Sequence, residues 1–410
     1  MLENWWILKG GHNEWFSKKY YMVDLSLAFL ILYFVITSVF FAVDAYFWWI
    51  ARYPRWKIGR WNSRIDWSNE AFKRGVNWLP KVPAVPVTQN THLLLYDIIQ
   101  GKFIRKSVQA WQTGGLLIGV SEYSIQDSRD VQRQTIDYFI NKKGEWRINP
   151  QNIDFAILAF GFLKYSERSS FLKPAMDYLI NLIEKQIGDD GLIAYSLNKN
   201  NRYVDTLGLV CPFLVLYDNI YGTSKYTQLA LAQLHSFIDK GMFKETFLPV
   251  HAYETTSNLP IGVYGWGRGT GWFILGITDT FLELKEGVEK EILKEKLFLL
   301  ADYYLQFQRD DGGFGIFLQN KETYDSSATA VFAYFLGRCY ELKRNKKYLE
   351  SLESAINKLM SVTRRNGALD YCQGDTIDVG IFSQNLNIMP FAQGILLRTM
   401  KIYSNPNFRQ

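Results

Sequence analysis

Cysteine and histidine are scarce in this chain, and their scarcity removes whole classes of chemistry. Three cysteines (Cys211, Cys339 and Cys372) in 410 residues lie far apart. An odd, scattered set is neither a disulfide framework nor a zinc-ligand pattern. The four histidines (His12, His92, His235 and His251) are equally dispersed, so no metal site is expected. Segments of alternating polar and apolar residues, the mark of half-buried strands, are missing as well. Charged residues make up only 21% of the chain. The net charge of +6 is not gathered into a basic stripe beyond one cluster at 52–64, which argues against nucleic acid as a partner. No cofactor-binding motif is present.

What the chain has in abundance is apolar and aromatic side chains: 48% of residues are hydrophobic, and 13 are Trp. Residues 25–43 (LSLAFLILYFVITSVFFAV) run for 19 residues without a charge. A helix rising 1.5 Å per residue needs about that length to cross a hydrocarbon core of ~30 Å. Tyr20 and Tyr21 flank one end, and Tyr46, Phe47, Trp48 and Trp49 the other, as interfacial belts do. The run starts late and lacks a small-x-small cleavage site, unlike a signal peptide. Lys9, Lys18 and Lys19 precede it, while Arg52, Arg55, Lys57, Arg60 and Arg64 follow. By the positive-inside rule this places the large domain on the cytoplasmic side, and the unpaired cysteines lean the same way.

The expected organisation is a tail over 1–24, a membrane helix over 25–50, a linker with a short helix over 51–89, and a helical domain over 90–410. Within that domain, amphipathic and wholly apolar helices alternate. Leu172, Met176, Leu179 and Ile183 form one face of a helix. By contrast, 155–163 and 207–216 are apolar all round. A turn recurs after the amphipathic helices: KKGEW at 142–146, DDGLI at 189–193, DKGMF at 239–243, DDGGF at 310–314 and RNGAL at 365–369. Each suits a left-handed glycine stop followed by re-entry into the core. The glycines are spaced 47, 50, 71 and 55 residues apart, one helical hairpin per period. A sixth buried helix over 384–403 would pair with sequence around 92–105. Six hairpins closing on themselves make an all-α (α/α)6 barrel, with an open solenoid as the competing architecture.

The 71-residue interval contains an insertion at 244–272, rich in aromatics, Gly and Pro. A loop of that length in a regular repeat is usually functional. In an α/α barrel the segments leading into inner helices crowd one mouth. Four of them carry polar residues: Asp154, Asp205, Arg268 and the Asp325–Ser326–Ser327 group. Asp154 and Asp325 could equally be helix N-caps. Asp205 heads a nearly unbroken apolar helix, and desolvation there would raise its pKa, as suits a general acid. Arg268, between Gly267 and Gly269 and bracketed by Trp266 and Trp272, reads as a clamp for an anionic or polyhydroxylated group. Tyr264 and His251 share the insertion. Aromatic faces of this kind pack against the apolar faces of sugars.

The segments DTLGLVCPFL, HAYE and YGWGRGTGWFILGITDTF resemble signature segments of the unsaturated rhamnogalacturonyl and glucuronyl hydrolases, glycoside hydrolase families 88 and 105. WQTGGLLIGVSEY at 111–123, beginning with Trp111, DSSATAVFAYFLGR at 325–338 and MPFAQGILLRTM at 389–400 resemble their other inner helices in the same order, covering about 90–403. The resemblance implies the (α/α)6 barrel independently of the repeat. It also implies Asp205 as general acid/base and Asp154 as second carboxylate. His251, Trp266, Arg268 and Trp272 would line the subsite, and the enzyme would protonate the C4=C5 bond of an unsaturated uronic residue before water adds at C5. With its membrane segment the chain also resembles barrel proteins of exopolysaccharide and capsule assembly, with lipid-linked glycans or assembly proteins as neighbours. Two alternatives stand beside an anchored hydrolase. One is a non-catalytic glycan-binding scaffold. The other, suggested by QRDDGGFG at 308–315, is a terpenoid-cyclase-like toroid, for which an acid-rich or zinc centre is missing.

Overall fold

The computed structural model describes all residues except 1–6, 86–89, 103–108, 124–125, 197–198, 244, 377 and 409–410. Along the chain, α1 (Ile7–Arg52), α2 (Arg64–Trp78) and α3 (Leu94–Ile99) come first. The chain divides into two compact units, Met1–Tyr53 with Asn90–Phe103, and Pro54–Gln89 with Ile104–Gln410.

The first unit is α1 with α3 packed on it. The Asp44 carboxylate accepts hydrogen bonds from the N–H groups of Leu93 and Leu94 at 2.8 and 3.0 Å, capping a short helix that has no cap of its own. Residues 24–55 are long and apolar enough to cross a membrane by length and composition. Leu25, Phe29, Phe34 and Phe41 are among many of its apolar side chains that are exposed.

The second unit is an (α/α)6 barrel. Its inner ring is α4 (Ala110–Ser121), α6 (Phe155–Tyr165), α8 (Asp205–Tyr221), α10 (Gly267–Glu283), α12 (Ser326–Lys343) and α14 (Pro390–Tyr403). Each packs on the next, and α14 closes the ring on α4. The outer helices α5 (Gln126–Phe139), α7 (Ser169–Lys185), α9 (Lys225–Lys240), α11 (Val288–Tyr304) and α13 (Lys346–Ser361) each follow their inner partner. Inner helices are buried almost without interruption, whereas outer ones bury one stripe; in α7 that stripe includes Leu172, Met176, Leu179 and Ile183. The open solenoid is excluded by the closed ring.

The sixth outer helix differs from the expectation. It is α2, which packs on α14 and α4, while 94–99 belongs to the first unit and 103–105 lies outside the described residues. A repeated backbone contact explains the choice. Gly144 turns at φ +78 directly beneath the carbonyl of Phe171 on α7, and Gly367, at φ +81, sits in the same way beneath Glu70 on α2. A side chain at either glycine would overlap that carbonyl. Gly191 and Gly312 share the left-handed turn, but Gly241 does not; its φ is −94.

The insertion, read from sequence as loop, builds a small sheet. β1 (Asn201–Tyr203), β2 (Val250–Glu254) and β3 (Pro260–Tyr264) pair antiparallel in that order, with Arg202 opposite Tyr253 and an irregularity between Val250 and Ala252. A two-stranded ladder, β4 (Cys372–Gln373) with β5 (Leu386–Asn387), brackets the loop before α14.

Candidate active site

The segments leading into the inner helices line one cavity of about 320 Å3. Its wall includes Trp111, Asp154, Asp205, His251, Trp266, Arg268 and Trp272, so seven of the eight residues nominated from sequence converge. The eighth, Tyr264, stands apart from that lining. It ends β3 and packs edge-on against Phe243, with ring centroids 5.0 Å apart.

Asp154 precedes α6 with helical backbone angles (φ −60, ψ −22) and makes no side-chain cap. Its carboxyl is thereby free to face the cavity, and the capping role fails for it. Asp325 is the opposite case. Fully buried, it accepts hydrogen bonds from the N–H groups of Ser327, Ala328 and Gln373 and from the Ser327 hydroxyl. Its work is structural. Asp205 opens α8, where the chain leaves β1. The N–H of Val204 donates to the carbonyl of His251 at 2.9 Å, and this β1–β2 link brings the imidazole to the carboxylate, Nε2 to Oδ2 being 3.5 Å. His251 is wedged between Trp266, at 4.6 Å between centroids, and Tyr203, at 6.1 Å.

Burial lifts the carboxyl of Asp154, and it raises that of Asp375 on the same cavity as well. Desolvation pushes Asp154 up to about 7, and the carboxylates of Asp375 and Asp205 add to the rise, while a hydrogen bond from Tyr195 opposes it. The Asp205 side chain keeps 18% of its surface exposed. Trp111 and Trp272 meet edge to face at 5.7 Å, and Phe391 packs against both.

Arg268, expected to hold an anionic or polyhydroxylated group, lines the cavity and is also bound within the barrel. Its guanidinium donates to the carbonyls of Gln373 and Gly374 at 2.5 and 2.9 Å, lies over Trp266, and has Asp375 3.9 Å away. Gln109, Tyr195 and Asp375 line the cavity too and were missed. Asp375 sits on the lead-in to α14 and Gln109 on the lead-in to α4, so the rule that found Asp154 and Asp205 reaches them as well. Tyr195 follows the Gly191 turn. Four buried polar atoms on this cavity, Asp154 Oδ1, Asp205 Oδ2, His251 Nδ1 and Gln109 Oε1, have no hydrogen-bond partner among the described residues. Buried polar groups rarely go unpaired, and a polyhydroxylated ligand would satisfy such a set.

Residues 96–400 match the family model for Glycosyl Hydrolase Family 88. The chain belongs to that family. This family 88 glycoside hydrolase shares its fold with solved structures at low identity. A possible member of glycoside hydrolase family 105 from Salmonella enterica superposes with a TM-score of 0.69 at 19% identity, over 84% of this chain and 95% of that one. A counterpart described in the same words from Klebsiella pneumoniae gives 0.68 at 19%, over 84% and 94%. The unsaturated glucuronyl hydrolase responsible for glycosaminoglycan degradation in a Bacillus species gives 0.58 at 16%, over 83% and 95%. No curated protein matches the chain significantly. A terpenoid-cyclase-like identity is set aside by the family match.

Proposed function

We propose that this family 88 protein hydrolyses a glycosidic bond of a carbohydrate in the Trp111–Arg268 cavity, with Asp154 and Asp205 dividing the proton transfers. The observation that carries the reading is the pair's unequal surroundings: Asp154 is buried and pushed up to about 7, while Asp205 reaches the cavity beside His251. A desolvated carboxyl that holds its proton is suited to the acid role, and a second carboxyl facing the same cavity is placed to act on the water. Asp154 gives its proton to the glycosidic oxygen as the C–O bond breaks. Asp205 takes the proton of the water that adds at the anomeric carbon. These roles are the reverse of those expected from sequence.

The apolar helix supports a membrane-anchored enzyme of polysaccharide assembly or processing, since an anchor holds a barrel beside lipid-linked glycans. The basic residues that follow the apolar run support a cytoplasmic barrel.

The chemistry is tested with two classes of leaving group. Asp154→Asn should lower kcat/KM about 100- to 10,000-fold on alkyl glycosides and far less on dinitrophenyl glycosides, whose leaving group needs no proton. It should also abolish the fall in rate above pH 7. Asp205→Asn should impair both substrate classes alike. If both variants match the wild type on both classes while still binding glycan, the protein is a binding scaffold and the hydrolase reading fails.

A further inference from the structure

Between its sixth outer helix, α2, and its first inner helix, α4, the chain leaves the barrel unit, and Asn90–Phe103 joins α1 in the first unit. There the usual pattern of a short helix is turned inside out. Asp97 is buried, only 4% exposed, and accepts a hydrogen bond from Asn90 at 2.8 Å. The outward side chains are Leu93, Tyr96 and Ile99, with 58%, 51% and 70% of their surfaces exposed. Spaced three apart, they run along one side of α3. In water a surface helix hides its apolar stripe and shows its acids; the reverse arrangement suits an apolar surrounding. The backbone is closed to match. Asp44 accepts the N–H groups of Leu93 and Leu94, and at the other end the N–H groups of Gly101 and Lys102 return to the carbonyls of Ile98 and Asp97 at 3.1 and 2.8 Å. Unmet backbone groups are what lipid penalises most.

We propose that residues 93–99 form a second membrane contact, an interfacial clasp in which Leu93, Tyr96 and Ile99 enter the bilayer beside α1. The proposal rests on the reading of α1 as a membrane helix. Continuity with α1 identifies the occupant as lipid. Asp44 directly follows the apolar run, and the next turn of α1 carries Tyr46, Trp48 and Trp49, each more than half exposed. Such rings settle at headgroup level, and Asp44 ties α3 to α1 within about 6 Å of helix rise of them. The exposed apolar surface of α3 therefore continues that of α1, and the lipid that covers one covers the other. Connectivity gives the contact a purpose. The chain passes between the two units after residues 53, 89 and 103. A domain tethered at a single crossing is free to turn about it, whereas one joined to two membrane-seated helices is restrained.

Fluorescent depth reporters test this in the full chain, reconstituted in nanodiscs of phosphatidylethanolamine and phosphatidylglycerol. The native cysteines are buried, so Tyr96→Cys and Ile99→Cys each supply one accessible thiol for an environment-sensitive label. Both side chains are exposed, and neither change empties a core. Ile36→Cys within the apolar run and Lys346→Cys on the barrel serve as controls. The Tyr96 and Ile99 labels should lose about half or more of their emission to lipids carrying a nitroxide near the headgroup, as befits a face seated about 5–10 Å deep. Aqueous iodide should spare them while quenching the Lys346 label. Iodide quenching at Tyr96 and Ile99 as strong as at Lys346 overturns the proposal. So does a blue-shifted emission that no nitroxide lipid reaches, since another protein or a second copy would then cover the face. If the Ile36 label meets deep nitroxide lipids and the α3 labels meet none, the clasp fails and the anchor stands. If no label meets lipid, both fail.

Discussion

At the scale of the residue, Asp154 couples protonation to stability. Its folded value of about 7 lies above the ordinary 3.8. Below pH 4 both folded and unfolded chains hold the proton, and nothing is lost. As pH rises from about 4 to 7, the unfolded chain releases its proton while the folded one keeps it. Stability therefore falls across that window and levels off above it. Asn carries no such liability. Asp154→Asn should raise stability at pH 7.5 by about 2–4 kcal/mol, and thermal melts at pH 4 and 7.5 should show the gain only at the higher pH. Equal melting shifts at both pH values would mean that a different contact is responsible. The residues found from sequence, Asp154 and Asp205, stand directly at the heads of apolar helices, where local pattern is informative. Asp375 gains its meaning from Gln109, 266 positions away, and from Arg268. No local pattern reports a contact of that range, and the same is true of the commitment of Arg268 to the 373–374 carbonyls.

At the scale of the element, the inner ring is held by close backbone approach and by one buried ionic knot. Gly115 and Gly119 on α4 face Gly394 on α14, and a Cβ at Gly394 would overlap the Gly115 carbonyl. Backbone in contact with backbone leaves nothing flexible to yield. Gly394→Ala should cost about 1–3 kcal/mol, measured by chemical denaturation, and no loss would show that α14 shifts freely on α4. The knot is Arg398, which donates to both Asp279 oxygens at 2.7 and 2.8 Å and to Glu122 at 2.9 Å; Tyr334 also donates to Asp279. Arg398→Met strands Asp279 and should cost about 3–5 kcal/mol, much of it recovered by adding Asp279→Asn. If the double variant is no more stable than the single one, stranded charge is not the cause. The helices themselves were legible because period 3.6 and all-round apolarity separate outer from inner. Their pairing was legible only between neighbours in sequence. An amphipathic stripe declares that a helix has a buried side but not what covers it. That is why α2, some 300 residues before α14, was read as linker; its packing on α14 and α4 and the Gly367–Glu70 contact reveal its place in the ring.

At the scale of the whole molecule, the question is which side of a membrane the barrel occupies. The basic residues after the apolar run are the sequence argument, and the structure alters its weight. Arg55 is ion-paired to Asp370 at 2.9 Å, and Arg64 bonds to Tyr403 and Asn357, so both serve the barrel unit itself. Counted along the sequence, five basic residues after the run still outnumber Lys9, Lys18 and Lys19 before it, but two of the five are also bound within the barrel unit. The cysteines turn this into a clean experiment. Cys211, Cys339 and Cys372 are all buried and unpaired, so a membrane-impermeant maleimide has little to label on the native surface. Lys346 begins α13 with 86% of its side chain exposed, and Lys346→Cys supplies one reactive thiol on the barrel. A cytoplasmic barrel should be labelled only after cells are opened, and the labelled protein should stay with the membrane fraction through an alkaline wash. Labelling of intact cells would put the barrel outside and remove lipid-linked cytoplasmic precursors from its reach. Release by the alkaline wash would instead mean that α1 does not span, since a spanning helix leaves the bilayer only when the bilayer is dissolved.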